Sequence, residues 1–386
     1  MNSQLQVAIL VETSRGHGRQ IIEGIAQYSA EHGPWSIRLD PRNLNDPPPR
    51  WLKNWRGDGI IVRCESVAMA NSVLATGLPT IDVRGGVPEA NIPLVGVDND
   101  AIIDASFEHL QERGFRQIAW CDFIGHRRSW ISQRRDRLLQ RAADAGMTCH
   151  VFPVKRGAYK HATRSHREMN ALKEWLAQLP RPVAVLATDD EQAHVVLDAA
   201  QQLSLRVPDE VAVLGIDNDE IFCRVSSPPL SSVDVNTNAV GYKAAEMLHR
   251  IIQGRQIPAR TLLPPRGVVT RQSSDVVAVE NREAAAAIRY IRENACQPVQ
   301  AAQVARALSI SRSTLDRLLL AAIQLSATEA IMQVRLSHVK SDLTSTDLPL
   351  TAIATRAGFA SVHHLANLFR KRVGVTPGLY RKQMRA

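Results

Sequence analysis

One helical pattern is written twice between residues 301 and 380, and this repeat constrains the chain more than any other feature. In the first copy Val304 and Ala305 precede a turn at Ser309-Ile310-Ser311, after which Leu315, Leu319 and Ile323 recur at helical spacing. In the second, Ile353 and Ala354 precede Gly358-Phe359-Ala360, and Leu365, Phe369 and Val373 follow. The offset is 49 residues up to the turn and 50 after it, which places one added residue near the start of the second copy's second helix. Each copy reads helix, tight turn, helix. Arg312, Arg317, Arg370, Lys371 and Arg372 fall on the free face of the helices after the turns, opposite the apolar stripe. That is the layout of a helix that enters a DNA groove.

Charge follows the repeat. Residues 281–386 hold 15 Lys/Arg and 6 Asp/Glu, the whole of the chain's net +9, while residues 1–280 hold 32 of each sign. A neutral body with a basic end is the electrostatics of a nucleic-acid binder whose DNA surface is confined to one module. The five cysteines (Cys64, Cys121, Cys149, Cys223, Cys296) are widely spaced and expected to be reduced. The first apolar run, 7–11, is short, and no run approaches the ~18 residues of a membrane span, so a cytoplasmic protein without a membrane partner is expected.

From residue 7 short apolar runs alternate with amphipathic stretches. Strands are predicted at 7–11, 59–62, 80–83 and 94–97, and helices at 19–32, 67–76 and 101–113. The rhythm restarts after Gly114, with strands at 117–121, 149–152, 183–187 and 211–216 and helices at 132–145, 168–179 and 191–203. This βαβ order predicts two lobes, each a mostly parallel sheet covered by helices. Gly96-Val97-Asp98-Asn99-Asp100 recurs as Gly215-Ile216-Asp217-Asn218-Asp219, each at a predicted strand end. There Asp98 and Asp217 either face a cleft between the lobes or cap the next helix.

The second repeat, with Ala357-Gly358-Phe359, Ser361, Phe369-Arg370-Lys371, Gly374, Thr376-Pro377 and Tyr380-Arg381, resembles the DNA-binding module of the AraC family. The first departs from it at Leu319, where that family prefers Phe, and at Gln324, where it prefers Gly, so a looser or differently capped helix end is expected. Residues 207–218, Pro228-Pro229-Leu230-Ser231-Ser232-Val233 and 241–254 resemble the effector-binding core of LacI/GalR regulators, over roughly 5–272. In that family the helix-turn-helix precedes the core; here it follows. The combination resembles the bacterial xylose operon regulator family, also through Arg19-Gln20-Ile21-Ile22-Glu23-Gly24, Thr188-Asp189, Leu263-Pro264-Pro265 and Tyr290-Ile291-Arg292. The resemblance implies a type I periplasmic-binding-protein-like α/β sensor of two lobes (1–272), a linker (273–284) and an all-α double helix-turn-helix domain (285–386).

Neutral sugars are held by planar polar side chains that bond adjacent hydroxyls in pairs, with an aromatic face against the ring. Asp189 and Asp217 after strands, Arg134 at the position where LacI/GalR sensors place a ligand arginine, Glu12 and Ser14 beyond the first strand, and Trp130 or Phe222 for stacking are the expected ligand residues. On DNA, the AraC resemblance starts the first recognition helix near Arg312; Ser313, Asp316 and Arg317 share its exposed face, matched by Val362, His363 and Asn367 in the second. Arg317 suits guanine, Asp316 cytosine, Asn367 adenine and Val362 a thymine methyl, while Ser361 and Arg370 are placed for phosphate. No dinucleotide fingerprint or phosphate loop is present, and His17, His126, His161, His166, His363 and His364 show no metal spacing, so neither cofactor nor metal is expected. Asp189 and Asp190 point apart as neighbours after a strand, unlike an acid/base pair. The expectation is a sugar-responsive transcription activator of carbohydrate catabolism, taking xylose or another pentose. It binds promoter DNA as a homodimer and contacts RNA polymerase. The alternative is a sugar-binding module or hydrolase that carries a basic tail.

Overall fold

The computed structural model describes residues 4–122, 128–153, 166–276, 279 and 281–385. His126, His161 and part of the expected linker lie outside them. The first sheet is built from β1 (Gln6–Leu10), β2 (Ser36–Leu39), β3 (Gly59–Val62), β4 (Thr80–Asp82) and β5 (Leu94–Val97), with α1 (Gly16–His32) and α2 (Val67–Leu74) as connections. After Asp98 come α3 (Asn99–Glu112), β6 (Gln117–Cys121), α4 (Ser129–Asp144), β7 (Thr148–Val151), α5 (His166–Gln178), β8 (Val183–Ala187), α6 (Asp190–Gln202), β9 (Val211–Ile216), α7 (Glu220–Val225) and β10 (Ser231–Asp234). The chain then returns through α8 (Thr237–Ile252) to β11 (Arg260–Leu263), which joins the first sheet, before β12 (Gly267–Val269) closes the second. Both sheets have six strands, in the orders β11-β5-β4-β3-β1-β2 and β12-β10-β9-β8-β6-β7, parallel throughout except that β12 pairs antiparallel with β10.

Parallel strands covered on both faces read as unbroken apolar runs, and β3, β8 and β9 are buried along their whole length. The lobe boundary falls earlier than the restart of rhythm suggests. α3 follows the first lobe's β5 but packs on α4, β10 and β12, so the chain changes lobe at Asp98, not Gly114. Helical periodicity marks which face is buried; it does not say which sheet buries it. α1 and α8 meet through glycines: a Cβ on Gly241 would lie 1.9 Å from the Ile21 carbonyl oxygen, and one on Gly24 1.9 Å from that of Asn238. Ser273 and Ser274 are fully buried. The Ser273 hydroxyl bonds the Val213 carbonyl at 2.6 Å, so packing of the second lobe runs to this point.

The carboxy-terminal part consists of α9 (Arg282–Asn294), α10 (Ala301–Ala307), α11 (Arg312–Ile323), α12 (Ala327–Ser345), α13 (Leu350–Arg356), α14 (Val362–Val373) and α15 (Pro377–Arg385). α12 is the spine of two separate cores. Ala327, Ala330, Ile331 and Val334 pack with α9, α10 and α11, whereas Leu336, Val339 and Leu343 pack with α13, α14 and α15. α11 and α14 have the same length and a serine N-cap: Ser311 accepts from the Thr314 amide and Ser361 from that of His364. The residue added in the second repeat is Ala360, in the turn directly before the Ser361 cap, since Ile310 and Phe359 make equivalent amide bonds to Ala305 and Ala354. The first helix ends without the looseness expected of it. Gln324 takes the left-handed conformation (φ 58°) that Gly374 (φ 86°) takes in the second copy, and its amide bonds Leu320 as Gly374's bonds Arg370.

Candidate functional sites: effector cleft and DNA-binding helices

The carboxyl ends of strands from both sheets converge on one cleft, the place where open α/β sheets bind ligands. From the first lobe come Glu12 beyond β1, Arg63 and Glu65 beyond β3, and Arg84 beyond β4; from the second come Arg134 of α4, Asp189 beyond β8 and Asp217 beyond β9. Side chains bridge the lobes. Arg15 lies 3.7 Å from Asp189 and 3.3 Å from Glu191, His17 Nδ1 3.2 Å from Asp217, and Arg128 2.6 Å from Glu65. The Arg84 guanidinium lies 4.1 Å from the centre of the Trp130 ring and that of Arg134 4.8 Å. Arg134, 1% exposed, is fixed by Asn99 Oδ1 at 2.9 Å and the Thr188 carbonyl at 3.0 Å.

Burial dominates the electrostatics. Removal from water pushes the Asp189 carboxyl up to about 7; Arg15 offsets this only in part and Asp217 adds to it. Asp217 suffers the same burial, yet His17, Arg134 and Arg84 outweigh it and hold its carboxyl below the usual range. Burial and the neighbouring Arg63 bring Arg84 down to about 9, and burial lowers His17 despite Asp217. Asp217 sits at φ 107°, a left-handed conformation that costs a non-glycine residue about 1–3 kcal/mol. This backbone aims its carboxylate at His17 instead of capping a helix; Asp98 does cap α3, accepting from the Ala101 amide at 3.0 Å. Glu12 is paired with Arg63, while its Oε2 is buried without a hydrogen-bond partner among the described residues. On the first-lobe side a cavity of about 100 Å³ opens beside Glu12, Arg42, Asn43, Arg63 and Glu65, and Arg134, Asp189 and Asp217 do not line it. Carboxylates and guanidiniums fixed around a small space are suited to paired, charge-assisted bonds with neighbouring hydroxyls.

The structure thus brings Glu12, Arg134, Trp130, Asp189 and Asp217 together. Ser14 is exposed, and Phe222 packs against the His194 ring at 5.8 Å between centres. Arg15, His17, Arg63, Glu65, Arg84 and Arg128 escaped the reading of the sequence. Arg63, Glu65 and Arg84 stand within three residues of a strand's carboxyl end, and for them that position was the available signal. Asp190 is a buried pin, accepting from Ser232 Oγ at 2.5 Å and the Asp219 amide at 2.6 Å. Among the described residues no group of His, Cys, Asp and Glu is arranged to hold a metal ion, and no helix is long and apolar enough to cross a membrane.

On the DNA-binding helices, Arg312, Ser313 and Arg317 of α11 and His363, Asn367 and Arg370 of α14 are exposed, as is the cap Ser361; Val362 is half-buried. Arg317 has no acidic partner among the described ion pairs. Asp316 is engaged at both oxygens, by Arg312 Nε at 2.9 Å and the Ala327 amide at 2.8 Å, so it ties α11 to the start of α12. Asn367 bonds His363 one turn away at 2.9 Å.

Three family models match in order: the XylR N-terminal domain over residues 6–100, the periplasmic binding protein-like domain over 107–274 and a helix-turn-helix domain over 304–383. The chain is 28% identical over 383 residues to the xylose operon regulatory protein of Haemophilus influenzae, covering 97% of this chain and 98% of the relative. It is 29% identical over 390 residues to that of Escherichia coli K12, with 97% and 96% covered. The solved structure of a xylose-binding transcription activator, XylR, superposes with a TM-score of 0.62 at 26% identity, over 99% of this chain and 98% of the other. With sensor and tandem helix-turn-helix in the same order along the whole length, the chain is a DNA-binding transcription regulator similar throughout to the xylose operon regulators.

Proposed function

We propose that this protein is a pentose-responsive activator that binds its effector between the two sensor lobes and promoter DNA through α11 and α14. The observation that carries this reading is the coexistence, in one chain, of a cleft lined by Arg134, Asp189, Asp217 and Glu12 with two serine-capped helices whose basic faces are exposed. D-xylose is the effector the relatives' names favour. The residues assigned to it are Asp189, Asp217, Arg134 and Glu12, with Trp130 as the apolar platform and Ser14 and Phe222 at the margin. Residues 1–272 act as sensor, 273–284 as junction and 285–386 as the DNA-binding domain. The protein works in the cytoplasm as a homodimer, and activation requires contact with RNA polymerase. Arg317 reads a base edge, whereas Ser361 and Arg370 hold phosphate.

Calorimetry with D-xylose and other pentoses, paired with selection of binding sites from random DNA, tests both halves. Asp217→Ala should weaken pentose binding by roughly one to two decades, the loss of a charge-assisted bond. Arg317→Ala should relax preference at one or two positions of the selected site, and Arg370→Ala should weaken all sites evenly. Unchanged pentose affinity in Asp217→Ala, or the same selected site for Arg317→Ala, defeats the respective assignment.

A further inference from the structure

The helix α3 touches both functional parts of the molecule. Its first residue, Asn99, accepts from Arg134 in the cleft at 2.9 Å, and Gln133 beside Arg134 donates to Asp100 at 3.0 Å. Along its middle Asp104 is gripped by Arg137 at 2.8 Å and Arg141 at 2.9 Å, which locks α3 to α4. Its far end, about 21 Å away for a helix of this length, meets the DNA-binding domain. Glu108 pairs with Lys340 of α12 at 3.3 Å, and Glu112 accepts from the Ser337 hydroxyl at 3.2 Å. Just past the helix, Arg113 donates to the Ser274 carbonyl at 2.9 Å and His109 Nε2 lies 2.8 Å from Ser274 Oγ, so α3 also holds the start of the junction. Asp275 in turn accepts from Arg292 of α9 at 2.6 Å. Arg116 reaches the Ala321 carbonyl near the end of α11 itself.

This interface is not a packed core. A cavity of about 1040 Å³ lies between α3, β12, α9 and α12, rimmed by Glu108, Glu112, Arg113, Arg292 and Lys340. A contact made of polar pairs around open space has few packed apolar atoms to lose on rearranging, as is usual where two domains move against each other. The opposite end of α3 is tightly fixed, because Arg134 is buried and Asp98 bonds Leu263 at the passage between lobes.

We propose that α3 transmits the state of the effector cleft to the DNA-binding domain, with Glu108, Glu112 and Arg113 as the residues that position that domain. A shift of Arg134 on effector binding moves the Asn99 end, and the rigid helix carries the displacement to Lys340 and Ser337, which set how α11 and α14 are presented. The inference rests on the reading of the chain as an effector-controlled regulator. The test uses the full chain with Glu108→Lys, Lys340→Glu and the two combined, on a DNA fragment selected by the wild type, without and with D-xylose. Each single reversal should change the affinity of the xylose-free protein for that fragment by about twofold to fivefold, the worth of a partly exposed pair. It should also shrink the effect of xylose on DNA affinity, and the swap should restore both. Singles that behave as wild type overturn the proposal, as does a swap that stays as far from wild type as the singles. Calorimetry on the wild type separates the two readings. Failure to bind any pentose defeats the proposed effector, while the xylose-free comparison still decides the role of α3.

Discussion

Gln324 and Asp217 both hold a left-handed backbone without being glycine, for different reasons. Asp217 gains a hydrogen bond with His17 across the lobes, so strain is exchanged for a contact at the effector cleft. Gln324 gains nothing comparable. It closes α11 where Gly374 closes α14, and its side chain makes no hydrogen bond among those described. A left-handed residue with a Cβ costs about 1–2 kcal/mol, and glycine's greater freedom in the unfolded chain returns about half of that. Gln324→Gly is therefore expected to stabilise the DNA-binding domain by about 0.5–1 kcal/mol, read as a raised denaturation midpoint with unchanged DNA affinity. A lowered midpoint would show that the side chain has a role there.

Among elements, the α1–α8 crossing ties the beginning of the sensor to a segment more than 200 residues later. α1 carries His17 at its start and α8 follows the second passage between lobes. Because Gly241 meets the Ile21 carbonyl directly, Gly241→Ala should force the helices apart, cost about 3 kcal/mol, and lower effector affinity by displacing His17. Thermal unfolding and pentose calorimetry check this; a variant that folds and binds as wild type would show that the crossing is not tight. How much of such an arrangement a sequence reveals depends on what each element is buried against. β8 and β9 were legible because burial on both faces leaves a continuous apolar run, whereas β2, exposed along most of its length, and the short β10, β11 and β12 were not read as strands. The tandem recognition helices were legible because a repeat shows itself twice. In the cleft, Asp189 and Asp217 stood out as acids after apolar strands. Arg84 and Arg128 did not, because a single arginine acquires meaning only when the other lobe supplies Trp130 or Glu65.

For the whole molecule, charge and coupling are divided between its two parts. The full excess of +9 lies in residues 281–386, while residues 1–280 balance 32 positive against 32 negative side chains. DNA affinity should therefore fall with salt by about 0.9 in log–log slope for each phosphate neutralised. Pentose affinity in the absence of DNA should stay nearly flat, because the cleft's pairs, including Arg63 with Glu12 and Glu65, are largely buried from ions. If effector and DNA are nevertheless linked through the protein, each must alter the other's affinity by one and the same factor, about 5–150-fold for an ordinary coupling free energy of 1–3 kcal/mol. Titrating D-xylose into the protein with and without its selected DNA fragment measures one side of that cycle, and titrating DNA with and without D-xylose the other. Equal ratios from the two titrations, together with a salt-dependent DNA step and a salt-insensitive pentose step, are expected. Unequal ratios would break the thermodynamic cycle and point to a further species such as a change of oligomer, and ratios of one would mean that cleft and recognition helices act independently.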